Sequence, residues 1–351
     1  MLPVTSPPIF DGHNDVLLRL WMKKNTDAAR DFIDGDGLGH IDLPRLRAGG
    51  MVGGLFAIFV PPDHGLPDDD DDPNPPIAGA MPQQAAARTT DAMFDLRNAI
   101  VAAANGAVRV CVTAAEIRSA IADNAIALVT HIEGAEAIRP DLANLQGYVD
   151  RGLRSIGPVW SRPNAFGSGV PFRFPSSPDT GPGLTEAGKA LVRECNRLHI
   201  LLDLSHLNEK GFWDVVRLSN APLVASHSNA HALANHSRNL TDDQLAAIGK
   251  SGGIAGLNFA TAFLREDGRW KGNVEPAVLI RHLEHMISVA GEESVGIGSD
   301  FDGCSVPNFI NDTSGLPNLV EAMREVGFGA ALIEKITCGN WLRVLEKTWG
   351  A

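Results

Sequence analysis

The stretch "PIFDGHNDVLLRL", residues 8–20, carries the pattern on which the fold turns. An apolar entry, Ile9 and Phe10, runs into the polar group Asp11-Gly-His-Asn-Asp15, and a new apolar run follows at once. Side chains alternate along an extended strand, so His13 and Asp15 share one side. This is the pattern of a strand over Pro8–Asp15 that ends in two metal-ligand residue types and hands over to a helix.

The same unit recurs. Short runs rich in Val, Ile and Leu predict further strands at Val52–Val60, Ile126–Glu133, Arg154–Trp160, Ile200–His206, Leu223–His227, Gly253–Phe259 and Ser294–Asp300. Most are apolar on both faces, as parallel strands covered by helices must be. Helices alternate with them. "TEAGKALVRECNRLH" starts at Thr185. "TDDQLAAIGKSGG" has an N-cap Thr241, acidic residues in its first turn and a stop at Gly252 and Gly253. "EPAVLIRHLEHMISVAGEES" carries Pro276 near its start and closes at Gly291. Eight strands alternating with helices predict an α/β protein, a (β/α)8 TIM barrel spanning 1–351 as one catalytic domain. An open doubly wound sheet is the alternative, but no nucleotide-binding glycine loop is present; "GIGSDFDG" lacks the third glycine in its required place. Two excursions rich in Pro, Gly, Asp and Ser, near 61–83 and 161–183, follow the second and fourth strands. Loops of that length are expected to serve the C-terminal mouth, where barrel active sites sit.

Composition narrows the function. The chain has 351 residues and a formal net charge of -12, so nucleic acid and anionic membrane surfaces are not expected partners. The acidic run Asp68–Asp72 reads as a solvated loop. Cys111, Cys195, Cys304 and Cys338 are far apart and form no CxxC pair, against a disulfide framework or a thiolate zinc site. No leader, membrane-spanning run or lipid-anchor signal is seen, so a cytoplasmic protein is expected.

The strand ends supply the chemistry. They carry His13 and Asp15, then Glu133, His206, His227, and finally Asp300 with Asp302. In a parallel barrel these ends converge on one mouth. Three imidazoles and two carboxylates suit zinc above other divalent ions. Five ligands exceed one closed tetrahedral site, and a central carboxylate shared by two ions about 3.5–4 Å apart resolves the count. Two such ions hold a bridging hydroxide, and Asp300 is left as the acid/base that moves its proton. His131, one layer deeper on the face of Glu133, reads as a buried supporting residue.

The segments "DGHND", "HIEGAEAI", "LLDLSH", "ASHSNAHAL…SRNLTDDQL" and "VGIGSDFDG", with the terminal "EKITCGNWLRVLEKTW", resemble the membrane (renal) dipeptidase family of metallopeptidases. The resemblance implies an amidohydrolase-type barrel with two zinc ions that hydrolyses dipeptides and related small amides, some with a C-terminal D-residue. It implies that His13 and Asp15 bind the first zinc, that Glu133 bridges both, and that His206 and His227 bind the second. Arg238 matches the arginine that grips the substrate carboxylate, and Asp300 matches the catalytic aspartate. A homodimer is a further family-level expectation. One departure stands out: in "SIGPVWSRPN" Trp160 occupies the place of a family histidine that contacts substrate. Indole donates one hydrogen bond but cannot be protonated as imidazole can, which leaves polarisation to the metal, to Arg162 or to a loop residue. That departure keeps open a metal amidohydrolase acting on an N-acyl amino acid or cyclic amide, and a non-catalytic metal- or ligand-binding barrel.

Overall fold

The computed structural model describes residues 7–24, 27–62 and 71–350. His64, the first six residues and Asp68 to Asp70 of the acidic run lie outside them.

Among the described residues nine strands form one parallel sheet: β1 (Ile9–Asn14), β2 (Met51–Phe59), β3 (Val108–Val110), β4 (Ile126–Glu133), β5 (Leu153–Ile156), β6 (Leu201–Leu202), β7 (Val224–Ala225), β8 (Ile254–Leu257) and β9 (Val295–Ile297). Eight of them run in the order β6-β5-β4-β2-β1-β9-β8-β7. The bridge between Asp203 and Val224 brings β6 against β7, and Leu204 N–H donates to the Val224 carbonyl at 2.7 Å. A nearly closed eight-strand barrel results, covered by helices, as the alternating pattern predicts. β3 is the extra strand. It pairs with Ile126–Leu128 of β4, while β5 takes the later part of the same edge at Thr130–Ile132. Three residues are too short to register as a strand in sequence.

The predicted strands all exist, but several stop early. Ile200–His206 is in the ladder only at Leu201–Leu202, and Leu223–His227 only at Val224–Ala225. The chain turns out of the ladder to form the mouth: His206, Asp300 and Asp302 have φ of 68°, 61° and 67°. Left-handed backbone at non-glycine residues is unfavourable and concentrates at functional sites.

The helix signals read as expected. Thr185 caps Glu186–Leu198, and Thr241 with Gln244 forms a full capping box on Asp242–Ser251, which ends at left-handed Gly252. Pro276 opens the helix that closes before Gly291. The 21-residue helix Gln83–Ala103 was not singled out in sequence.

The described parts of the two excursions meet over the mouth. Asn74 and Phe174 exchange two hydrogen bonds of 3.0 and 3.1 Å. A third segment after β8 joins them, with Trp270 Nε1 donating to the Asp72 carbonyl at 3.1 Å. Asp71 accepts from the Lys271 N–H at 2.7 Å and pairs with Arg269 at 3.5 Å. The end of the acidic run is therefore docked rather than merely solvated.

Candidate metal centre at the barrel mouth

The five ligand-type residues converge and are buried. Glu133, the last residue of β4, lies between two groups. Its Oε2 faces His13 Nε2 at 3.7 Å, and Asp15 Oδ2 lies 3.3 Å from the same nitrogen. Its Oε1 faces His206 Nε2 at 2.9 Å and His227 Nε2 at 3.5 Å. The clusters His13–Asp15–Glu133 and Glu133–His206–His227 each bring three ligand atoms within 4.8 Å of one another, and Glu133 belongs to both.

Each position follows from its strand. β1 is flanked by β2 and β9, and the Asp15 N–H donates to the Phe301 carbonyl at 2.8 Å. That bond holds Asp15 just beyond the strand end. His206 and His227 are held by side chains instead: Ser161 Oγ lies 2.8 Å from His206 Nδ1, and Ser226 Oγ 2.7 Å from His227 Nδ1.

The electrostatics are those of a site built around a cation. Burial drives Glu133 well above the usual carboxylate range and raises Asp300 as well, and the neighbouring Asp15 adds to both. Burial opposes charge on His13, yet the carboxylates of Glu133 and Asp15 outweigh it and push the ring up to about 10. His206 and His227 are held well below the ordinary histidine value by burial, reinforced by Arg238 and His13. Both ring nitrogens of His13 and Asp15 Oδ1 are buried without a hydrogen-bond partner. Orphaned buried lone pairs are costly. A divalent ion there would take one ring nitrogen of His13 together with the Asp15 carboxylate, so the donor set fits metal.

Asp300 stands beside this group. Its Oδ2 accepts from Asn258 Nδ2 at 2.9 Å. A Cβ at Gly303 would lie 2.7 Å from Asp300 Oδ1 and collide with Asp15 Oδ2, so only glycine fits that close approach. Asp302 does not enter the site; it accepts from Arg19 Nε and the His40 N–H and orders the turn. His131 lies deeper, with Nδ1 2.8 Å from Ser155 Oγ.

The mouth opens into a cavity walled by Phe59, Trp160, Phe172, Phe263 and Trp270, with Asp15, Glu133, His206 and Asp300 at its polar side. Trp160 packs 5.0 Å from Phe59 and 5.5 Å from Phe172 between ring centroids. Arg162, considered as a polarising group, is fully buried and sequestered: Nε pairs with Glu136 at 2.8 Å and Nη2 donates to the Val60 carbonyl. It supports the wall from behind, 5.4 Å from the Trp160 ring. Arg238 makes no surface pair with Asp242 or Asp243. Its Nη1 donates to Ser228 Oγ and its Nη2 to the His227 carbonyl, and the guanidinium lies 5.2 Å over Phe263. It borders a separate recess that shares His206 with the main cavity.

Sequence reasoning missed Asn258, the aromatic walls Phe172, Phe263 and Trp270, and the serines that hold the rings. Of the two, Ser226 had a signal, since it directly precedes His227, whereas Ser161 lies 45 positions from His206.

The barrel and its ligand-rich mouth fit the class of metal-dependent hydrolases. Comparison with known proteins narrows that class. Residues 4–349 match the family model "Membrane dipeptidase (Peptidase family M19)", and the chain belongs to that family of metallodipeptidases. A metallopeptidase from Rhodobacter sphaeroides, solved with a phosphinate mimic of the dipeptide L-Ala-D-Ala, is 52% identical, with TM-score 0.95 over 98% of this chain and 100% of that one. A dipeptidase AC of the same family is also 52% identical, with TM-score 0.94 over 98% and 99%. An uncharacterized Klebsiella pneumoniae protein from the pqqA 5′ region is 46% identical over 71% of this chain and 92% of its own. Among the described residues, no helix is long and apolar enough to cross a membrane.

Proposed function

We propose that this chain is a binuclear zinc dipeptidase that cleaves small L,L and L,D dipeptides. The observation that carries the reading is the position of Glu133, with one oxygen turned to each ligand cluster. His13 and Asp15 would hold the first ion, His206 and His227 the second, and Glu133 both. When bound, two such ions polarise a carbonyl and bring the pKa of water toward neutrality.

The chain's own groups do the rest. Asn258 holds one oxygen of Asp300. The other is left to take the proton from the attacking water and return it to the leaving amine. Arg238 is assigned the substrate carboxylate, for which a guanidinium fork is suited. Phe263, which stacks on that guanidinium, also walls the cavity. Trp160 is assigned a wall contact with the substrate, and its apolar packing supports shape selection rather than proton transfer. The L,D part of the reading rests on the L-Ala-D-Ala mimic bound by the Rhodobacter sphaeroides relative.

The test is zinc content by elemental analysis with turnover on L,L and L,D dipeptides, N-acyl amino acids and cyclic amides. Two zinc ions per chain and chelator-sensitive dipeptide hydrolysis are expected. Turnover of another amide with none on dipeptides would replace the substrate class, and a single ion would overturn the binuclear assignment.

A further inference from the structure

Between β6 and β7 the backbone ladder is short, and side chains take over the joint. Asp203 Oδ1 accepts from the N–H groups of Ser205 at 3.1 Å and Ser226 at 2.8 Å. Its Oδ2 accepts from Ser226 Oγ at 2.5 Å. The same Ser226 Oγ lies 2.7 Å from His227 Nδ1.

A serine hydroxyl has one proton, and a carboxylate can only accept. The Ser226 proton therefore points at Asp203. Toward His227 the hydroxyl oxygen accepts, so Nδ1 carries the ring proton. A neutral imidazole protonated at Nδ1 has a bare lone pair at Nε2. That Nε2 faces Glu133 Oε1 at 3.5 Å and His206 Nε2 at 3.0 Å. Asp203 also clusters with His13 and His131. Its oxygens are already engaged by three donors, however, and His131 Nε2 at 3.6 Å is beyond hydrogen-bond range.

We propose that Asp203 is a positioning residue that acts through Ser226 to hold His227 in the Nδ1–H tautomer, which keeps Nε2 open for the second metal ion. The inference rests on the assignment of His227 as a ligand.

Asp203→Asn tests it. The amide oxygen keeps the two backbone donors, and the amide nitrogen then faces Ser226 Oγ. That nitrogen donates, so the Ser226 proton turns to His227 Nδ1 and Nε2 becomes protonated. Ser226→Ala removes the messenger and leaves the ring free to choose. Competitive chelation titrations should show second-ion affinity lowered roughly 10- to 100-fold in Asp203→Asn, and less in Ser226→Ala, with the first ion retained. The double variant should return to the Ser226→Ala value, because without the serine the amide cannot reverse the ring. Losses that add in the double variant would overturn the relay. Nitrogen-15 NMR of metal-free wild type at mildly alkaline pH should show His227 protonated at Nδ1; protonation at Nε2 would overturn it as well. This second reading needs no variant and no metal, so it still decides the relay if the titrations find no second ion and the ligand assignment falls.

Discussion

The two ends of this barrel use the same strands for opposite purposes. Toward the start of the strands, Phe10, Leu55, Val129, Leu201, Val224 and Ile254 form one apolar cluster with Trp341. Trp341 is fully buried, and its Nε1 donates to the Ile297 carbonyl at 2.8 Å. A few residues further along, the same strands present His13, Glu133, His206 and His227, equally buried but polar and partly unpaired. Burial alone therefore does not distinguish core from site. What distinguishes them is whether buried groups are satisfied by the fold itself. At the apolar end they are, and at the mouth they are left for a ligand.

That contrast can be broken at either end. The largest expected effect is at the mouth. Asp300→Asn should lower kcat about 10²- to 10⁴-fold, the range for a lost acid/base group. Zinc content and the unfolding midpoint should stay unchanged. Loss of metal would make Asp300 a ligand instead.

Glu136→Gln sits near the mouth yet should behave like a core lesion. It leaves the buried Arg162 charge uncompensated, at a cost of about 3–5 kcal/mol. Denaturant unfolding measures the loss. Because Arg162 backs Trp160, KM should also rise while metal content holds.

At the apolar end, Trp341→Ala should cost about 3–5 kcal/mol in the same unfolding measurement. Activity per folded, zinc-loaded molecule should be unchanged, and a large fall in kcat would show the two ends to be coupled.

The smallest effect is expected on the outer helical layer. Thr241→Ala removes the capping box of Asp242–Ser251 and should cost about 1 kcal/mol, with no change in kinetics.

Much of this molecule is legible in one dimension. Strands such as Ile126–Glu133 announce themselves because a parallel barrel strand is buried on both faces and so reads as an apolar run. Helix limits at Thr185, Thr241, Pro276 and Gly291 are legible because caps are local chemistry. The ligand-type residues at the mouth are legible for a related reason: strand ends converge in this fold, so such residues at several ends point to one place. The short strand β3 was not legible, since three residues carry too little periodicity. Neither was the sequestration of Arg162, because a charged side chain is usually exposed and only its partner Glu136, 26 positions away, shows otherwise.

The sequence by itself determined the barrel, its caps and the ligand-type residues at the strand ends, because each rests on patterns within a few positions of the chain. Only the tertiary structure decided which oxygen of Glu133 faces which histidines, which wall Trp160 completes, and that Ser226 Oγ lies between Asp203 and His227. Those are distances between groups far apart in sequence, from Asp203 to Ser226 and from His13 to Glu133, and no local pattern encodes a distance across the barrel.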